Sequence, residues 1–149
     1  GLDDVFEREQ ARAKRRGSPL CIALLDMDDF KKLNDTHGHG AGDDALIHVV
    51  KIVKETLRTM DVIGRFGGEE FLVVLPDTSI EDAMQVIARL KKELTKRIFI
   101  HNNQRLLITF SAGIALSGPD EDTKSVLKRA DTALYKAKKS GKNRAVAAE

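Results

Sequence analysis

Short apolar runs alternate along this chain with longer stretches in which apolar residues recur every three or four positions. Leu20 to Leu25 is a continuous apolar run of strand length. Asp61 to Arg65, apolar within, and Leu72 to Leu75 are two further short runs, and the pentapeptide Gly67-Gly68-Glu69-Glu70-Phe71 between them predicts a hairpin with glycines at its tip. Helices are predicted from Asp3 to Arg16 and from Ala45 to Leu57, the latter ending near Arg58. Pro76-Asp77-Thr78 breaks the pattern, and Ser79, with Asp82 three residues on, starts another helix. That helix carries a core stripe at Ala83, Val86, Ile87, Leu90 and Leu94. Ile98 to Ile100 and Arg105 to Leu116 predict a second hairpin around residues 101–104. A last helix begins at Thr123 with Val126, Leu127, Ala130 and Leu134 inward, and a final strand ends near Val146. Tyr135 is expected in the core.

Composition narrows this to a single domain of 149 residues with an ordinary hydrophobic content of 42%. The net charge of +2 gives no reason to expect nucleic-acid binding. The basic residues concentrate in two places. Arg12 to Arg16 ends the first helix, where positive charge suits the helix dipole, and Lys136 to Lys139 with Lys142 to Arg144 lies near the other end. One cysteine cannot form an internal disulfide, which fits a reducing, cytoplasmic setting. No apolar run approaches membrane-spanning length, no signal peptide is present, and no membrane contact is expected from these residues.

Candidate chemistry gathers at two acidic segments. Gly67 and Gly68 are expected to allow a tight turn with positive φ and to leave bare backbone that a phosphate can approach. The same five residues also suit an ordinary hairpin with a solvated edge. The second segment decides between these readings. The run Leu20 to Leu25 stops at Asp26-Met27-Asp28-Asp29, and carboxylates at the end of a buried strand are costly unless solvated or holding something positive. Asp26, the Met27 carbonyl and a hairpin carboxylate would give Mg²⁺ hard oxygen ligands, while Asp28 or Asp29 would cap a short helical turn. Residues 37–44 read as a glycine-rich loop opening the next helix. Asp43 or Asp44 would cap that helix. Alternatively, a carboxylate here would accept from guanine's N1–H and exocyclic amine together, with Asn34 adding an amide contact. His37 and His39 stand two apart with no nearby thiolate, a poor set for zinc.

These segments together resemble the GGDEF family, the catalytic domains of diguanylate cyclases. The resemblance is carried by Asp26-x-Asp28-x-Phe30-Lys31-x-x-Asn34-Asp35, Gly38-His39-x-x-Gly42-Asp43 and Gly67-Gly68-Glu69-Glu70-Phe71. It continues through residues 110–115, Ala130-Asp131-x-Ala133-Leu134-Tyr135-x-Ala137-Lys138 and Gly141-Lys142-Asn143-Arg144, in family order from about Phe6 to Val146. It implies an α/β (α+β) fold, a mixed central sheet flanked by helices, similar to nucleotide cyclases and polymerase palm domains. It implies condensation of two GTP into cyclic di-GMP by two apposed copies, with Mg²⁺ or Mn²⁺ as cofactor.

Roles follow from the resemblance position by position. Asp26, Glu69 and the Met27 carbonyl match the metal ligands, with Glu70 as metal support or a structural contact. Glu69 is also the candidate for deprotonating the 3′-hydroxyl. Asn34 and Asp43 match the guanine contacts. Lys138 and Lys142 match residues that reach the triphosphate, and Phe30, Lys31, His39, Gly67 and Gly68 are expected to line its pocket. Arg58-Thr59-Met60-Asp61 matches an RxxD motif at which product inhibits, and Arg89 matches an arginine that a neighbouring copy can contribute. The plainer alternative is that Arg58 and Asp61 pair a helix end with a strand. Family domains carry a further segment ahead of the first helix, absent here, so an excised piece of a longer protein with an upstream sensory or regulatory domain is expected. A domain that binds cyclic di-GMP or GTP without turnover, and a cyclase for another nucleotide pair, are the competing readings.

Overall fold

Residues 1–149 are described by a computed structural model. In chain order the elements are α1 (Leu2–Arg16), β1 (Leu20–Met27), α2 (Phe30–His37), α3 (His39–Thr56), β2 (Val62–Arg65), β3 (Glu70–Pro76), α4 (Ile80–Lys96), β4 (Phe99–His101), β5 (Gln104–Leu106), β6 (Phe110–Leu116), α5 (Thr123–Lys139) and β7 (Ala145–Ala147). Five strands form one sheet in the order β2-β3-β1-β6-β7. Its pairs are antiparallel except β6 with β7, so the sheet is mixed, as expected.

The continuous apolar run of β1 makes it the central strand, buried on both faces. Cys21, Ala23, Leu25 and Met27 face one core with α3 and α4, including Val49, Ile52, Ile87 and Leu90. Leu20, Ile22 and Leu24 face the other, with Phe6 of α1 and Val126, Ala130 and Leu134 of α5. Burying each large side chain contributes roughly 1.5–3 kcal/mol. The second layer is unusually tight. A Cβ on Gly113 of β6 would sit 2.0 Å from the Ala130 carbonyl, so the backbone of α5 lies directly on the sheet.

Several expectations are corrected. The expected return strand from Arg105 to Leu116 is two strands: β5 pairs only with β4, and β6 joins the main sheet beside β1. The glycine-rich stretch is helix rather than loop from His39 onward, with Gly38 as the hinge at φ 90°. Asp43 and Asp44 therefore lie inside α3 and cap nothing. Ser79 does cap α4, accepting from the Asp82 N–H at 3.1 Å. Tyr135 is 62% exposed, beneath the Lys139 ammonium rather than in the core. No helix is long and apolar enough to cross a membrane.

Candidate active site

The site forms where the register of three strands brings their ends together. Asp26 pairs with Glu70 on one side and with Ser111 on the other. The Met27 N–H donates to the Glu69 carbonyl at 3.2 Å, which holds the hairpin return against the end of β1. Asp26, Met27, Glu69 and Glu70 are thus neighbours across two adjacent strands, as the acidic segments suggest. The glycine tip does not use positive φ, contrary to expectation: Gly17, Gly38 and Gly141 are the glycines with positive φ. The requirement at the tip is space. A Cβ at Gly67 would meet Glu70 Oε2 at 3.3 Å, and Gly68 faces open room. Arg65 braces the turn, its guanidinium donating to the Gly68 carbonyl at 3.0 Å from Nε and 2.5 Å from Nη2. Sequence reasoning missed Arg65, because one arginine at a strand end is too common a signal.

Lys138, from the last turn of α5, supplies the positive charge. Its Nζ stands 3.0 Å from Asp26 Oδ1 and 3.2 Å from Asp28 Oδ1. Burial opposes that ammonium, but hydrogen bonds and charge from Asp26 and Asp28 outweigh it and raise the Lys138 pKa. Burial likewise opposes the Asp28 carboxylate, yet its bonds from Ser111, Thr109, Asn143 and Lys138 hold it below the usual range. Asp28 caps no helix. Asp29 takes the position before α2 with φ 56° and makes no side-chain cap either. Glu70 shows the remaining imbalance. Burial first, and then Asp26, Asp131 and Glu69, push its pKa up, with Lys138 only partly opposing. Asp26, Asp28, Glu69 and Glu70 thus gather at these strand ends around one ammonium, a surplus of carboxylate by count.

A metal fits that surplus by the chemistry of its donors. No three acidic, histidine or cysteine side chains converge on one point. The donors at hand are hard oxygens, from Asp26, Glu69 and the Met27 carbonyl, and the ammonium already drawn in shows that the cleft favours a cation.

Asn34 and Asp43, the residues expected to contact a base, lie on α2 and α3. Gly42 exists for Asn34: a Cβ there would fall 2.1 Å from Asn34 Oδ1. That Oδ1 is buried and has no hydrogen-bond partner. Asp43, beside it, is exposed, as are Lys31 and His39. The Phe30 ring packs against the core under α3. Lys142 donates to Asp29 at 2.7 Å from a backbone at φ 63°.

The RxxD residues lie away from these strand ends and meet each other. Arg58 donates to Asp61 from its backbone N–H (2.9 Å), Nε (3.1 Å) and Nη2 (2.8 Å). The same Nη2 reaches the Pro76 carbonyl and Thr78 Oγ1, both at 2.8 Å. The pairing of helix end and strand is therefore present as the plainer alternative has it. Arg89 is exposed on α4.

A family model described as diguanylate cyclase, GGDEF domain, matches residues 1–144. The chain belongs to the GGDEF family. It is 43% identical over 143 residues to diguanylate cyclase DgcP of Pseudomonas aeruginosa, covering 96% of this chain and 21% of that protein. Among solved structures, the GGDEF domain of DgcB from Caulobacter crescentus, in complex with c-di-GMP, is 34% identical with a TM-score of 0.93, covering 98% of this chain and 87% of that one. The active GGEEF domain of a diguanylate cyclase from Vibrio cholerae is also 34% identical, with a TM-score of 0.87 and coverage of 95% and 90%. The chain spans between a fifth and about a third of the first curated relatives it matches.

Proposed function

We propose that this GGDEF domain is a diguanylate cyclase, which joins two GTP into cyclic di-GMP with release of two pyrophosphates. The observation that carries the reading is the join of β1 and β3. It sets Asp26, the Met27 carbonyl and Glu69 side by side, with Lys138 facing them from α5. Asn34 Oδ1, buried and unpartnered, suits a donor from guanine, and Asp43 beside it suits the adjacent pair of N–H groups.

In this reading Asp26, Glu69 and the Met27 carbonyl hold Mg²⁺ or Mn²⁺, with Glu70 in support. The metal supplies charge stabilisation at the phosphoryl group under attack. Lys138 and Lys142 neutralise the triphosphate and the departing pyrophosphate. The Gly67-Gly68 backbone leaves the approach open. Glu69 takes the proton from the 3′-hydroxyl as its oxygen bonds to the α-phosphorus of the second GTP and the bond to pyrophosphate breaks. One site holds one GTP, so two copies must meet, and the same step occurs twice.

Product feedback at Arg58 and Asp61, with Arg89 from a neighbouring copy, belongs to the same proposal. The Arg58 side chain is 45% exposed, whereas the Asp61 side chain is 1% exposed, so product would meet the arginine first. An upstream regulatory module and a cytoplasmic setting complete it, supported by a relative named response regulator PleD from Caulobacter vibrioides.

The test is GTP turnover at high protein concentration with Mg²⁺, products separated by chromatography. Cyclic di-GMP in excess over protein supports the reading. No product from the domain fused to a dimerising coiled coil would refute it in favour of a receptor.

A further inference from the structure

Asp28 takes no part in the chemistry above, yet four donors engage its carboxylate. Its carboxylate is 2% exposed. Oδ1 accepts from Ser111 Oγ at 2.6 Å and from Lys138 Nζ at 3.2 Å. Oδ2 accepts from Thr109 Oγ1 at 2.7 Å and from the Asn143 N–H at 2.9 Å. One residue so ties the end of β1 to the start of β6, the last turn of α5 and the turn after it. A buried carboxylate is tolerated only when its oxygens are satisfied, and here each has two donors.

The turn it holds is strained. Gly141, Lys142 and Asn143 have φ of 125°, 63° and 49° in succession. Two of these residues carry side chains, and such a backbone persists only where its surroundings fix it. Asn143 is gripped on both sides. Its N–H goes to Asp28, and its carbonyl accepts from Lys91 Nζ of α4. Lys142 N–H donates to the Ala137 carbonyl at 3.0 Å, and Arg144 Nε donates to the Lys142 carbonyl at the same distance. Lys91 is half-buried and faces Arg144, a costly place for an ammonium without a specific task.

We propose that Asp28 and Lys91 are positioning residues that clamp the Asn143 backbone, Asp28 at its N–H and Lys91 at its carbonyl, with Asp28 also aiming Lys138, so that Lys138 and Lys142 stand ready for a triphosphate before it arrives. This rests on the reading of those two lysines as triphosphate contacts. Preorganised cations lose less freedom on binding, so the clamp should act on the phosphates and not on the base.

The experiment compares Asp28→Asn, Lys91→Met and Lys91→Arg with the unmodified protein. Affinity is measured for 3′-deoxy-GTP with Mg²⁺, which cannot turn over, and for guanosine, which has no phosphate. Hydrogen exchange of the Asn143 amide is followed in the free protein. Asp28→Asn and Lys91→Met should each weaken 3′-deoxy-GTP by about tenfold, the worth of one charge-assisted hydrogen bond, and leave guanosine within about twofold. Both should speed Asn143 exchange, and Lys91→Arg should restore both readouts. Should Asp28→Asn fail to fold, Lys91→Met decides alone. Equal losses for both ligands, or unchanged Asn143 exchange, would overturn the clamp. An unmodified protein that binds guanosine but gains nothing from the triphosphate would refute the lysine assignments themselves and the clamp's purpose with them, whatever the exchange shows.

Discussion

Two aspartates in this domain bury their carboxylates almost completely, Asp28 at 2% and Asp61 at 1% exposure, and they sit in opposite electrostatic settings. Asp61 is matched by one residue. Arg58 donates three hydrogen bonds to it, and the guanidinium then secures the Pro76 carbonyl and Thr78. Charge is balanced one against one. Asp28 shares a single ammonium with Asp26 in a cleft that also holds Glu69 and Glu70, and burial first, with the neighbouring carboxylates after it, raises the Glu70 pKa. Both arrangements satisfy their hydrogen bonds. Only the second gathers more carboxylates than cations, and that excess, together with burial, is what the proposed metal role rests on.

Removing one charge from the surplus without changing its shape is the strongest test. Glu69→Gln should lower GTP turnover by about 10²–10⁴-fold, the range for a lost acid–base group, and leave the unfolding transition in place. Chromatography of products and urea unfolding check the two halves. Turnover near the unmodified rate would end the role given to Glu69. The base side can be tested by crowding. Gly42→Ala places a Cβ against the Asn34 amide and should raise KM for GTP roughly tenfold, about one hydrogen bond's worth. The balanced pair should respond through stability instead. Arg58→Ala leaves the Asp61 carboxylate buried without its side-chain partner and should cost about 1–3 kcal/mol in urea unfolding. Its initial rate should be unchanged, while inhibition by added cyclic di-GMP is relieved. Unchanged stability would break the contrast between the regions, and unchanged inhibition would remove the product-site assignment.

The acidic strand ends and the basic cluster after α5 were both legible in the sequence, whereas the contacts that join them were not. Apolar runs place β1 and β3, and charges at the ends of such runs stand out. Asp26 and Glu69 were readable for that reason. The glycine turn was readable as well, although its glycines serve space rather than positive φ. The stretch from His39 to Gly42 misled, because glycines that suggest a loop are helical here, Gly42 making way for a neighbouring side chain. The hold of Lys91 and Asp28 on Asn143 was hidden because it joins side chains to backbone groups 52 and 115 residues away, contacts that no local pattern encodes. Residues 107–109 were hidden similarly: periodicity continues through them, while the sheet needs the chain to leave β5 and join β1.

The smallest effect draws the sharpest line between surplus and balance. Glu70 lies in the surplus, whereas Glu121, at the opposite end of the sheet, is balanced by Arg129 at 2.7 Å. The Arg129 hydrogen bonds, ahead of burial, which opposes them, and of Ser125 and the Gly118 N–H, hold the Glu121 pKa down at about 2 against an ordinary 4.5. Its stabilisation is therefore complete above 4.5 and is lost as pH falls toward about 2. Glu70 is displaced the other way from the same ordinary value. Its ionised form costs stability at neutral pH, and the cost fades as pH falls through its raised pKa toward 4.5. Glu70→Gln should therefore stabilise the domain at pH 7 by roughly 0.2–1 kcal/mol, the range for partly exposed charges, and lose that advantage by pH 4. Glu121→Gln should destabilise by about 1–3 kcal/mol at pH 7 and keep most of that loss at pH 4. Urea unfolding at the two pH values reads both signs. If the variants shift stability in the same direction, the excess of charge around Glu70 is already neutralised within the domain, and the case for an external cation there falls.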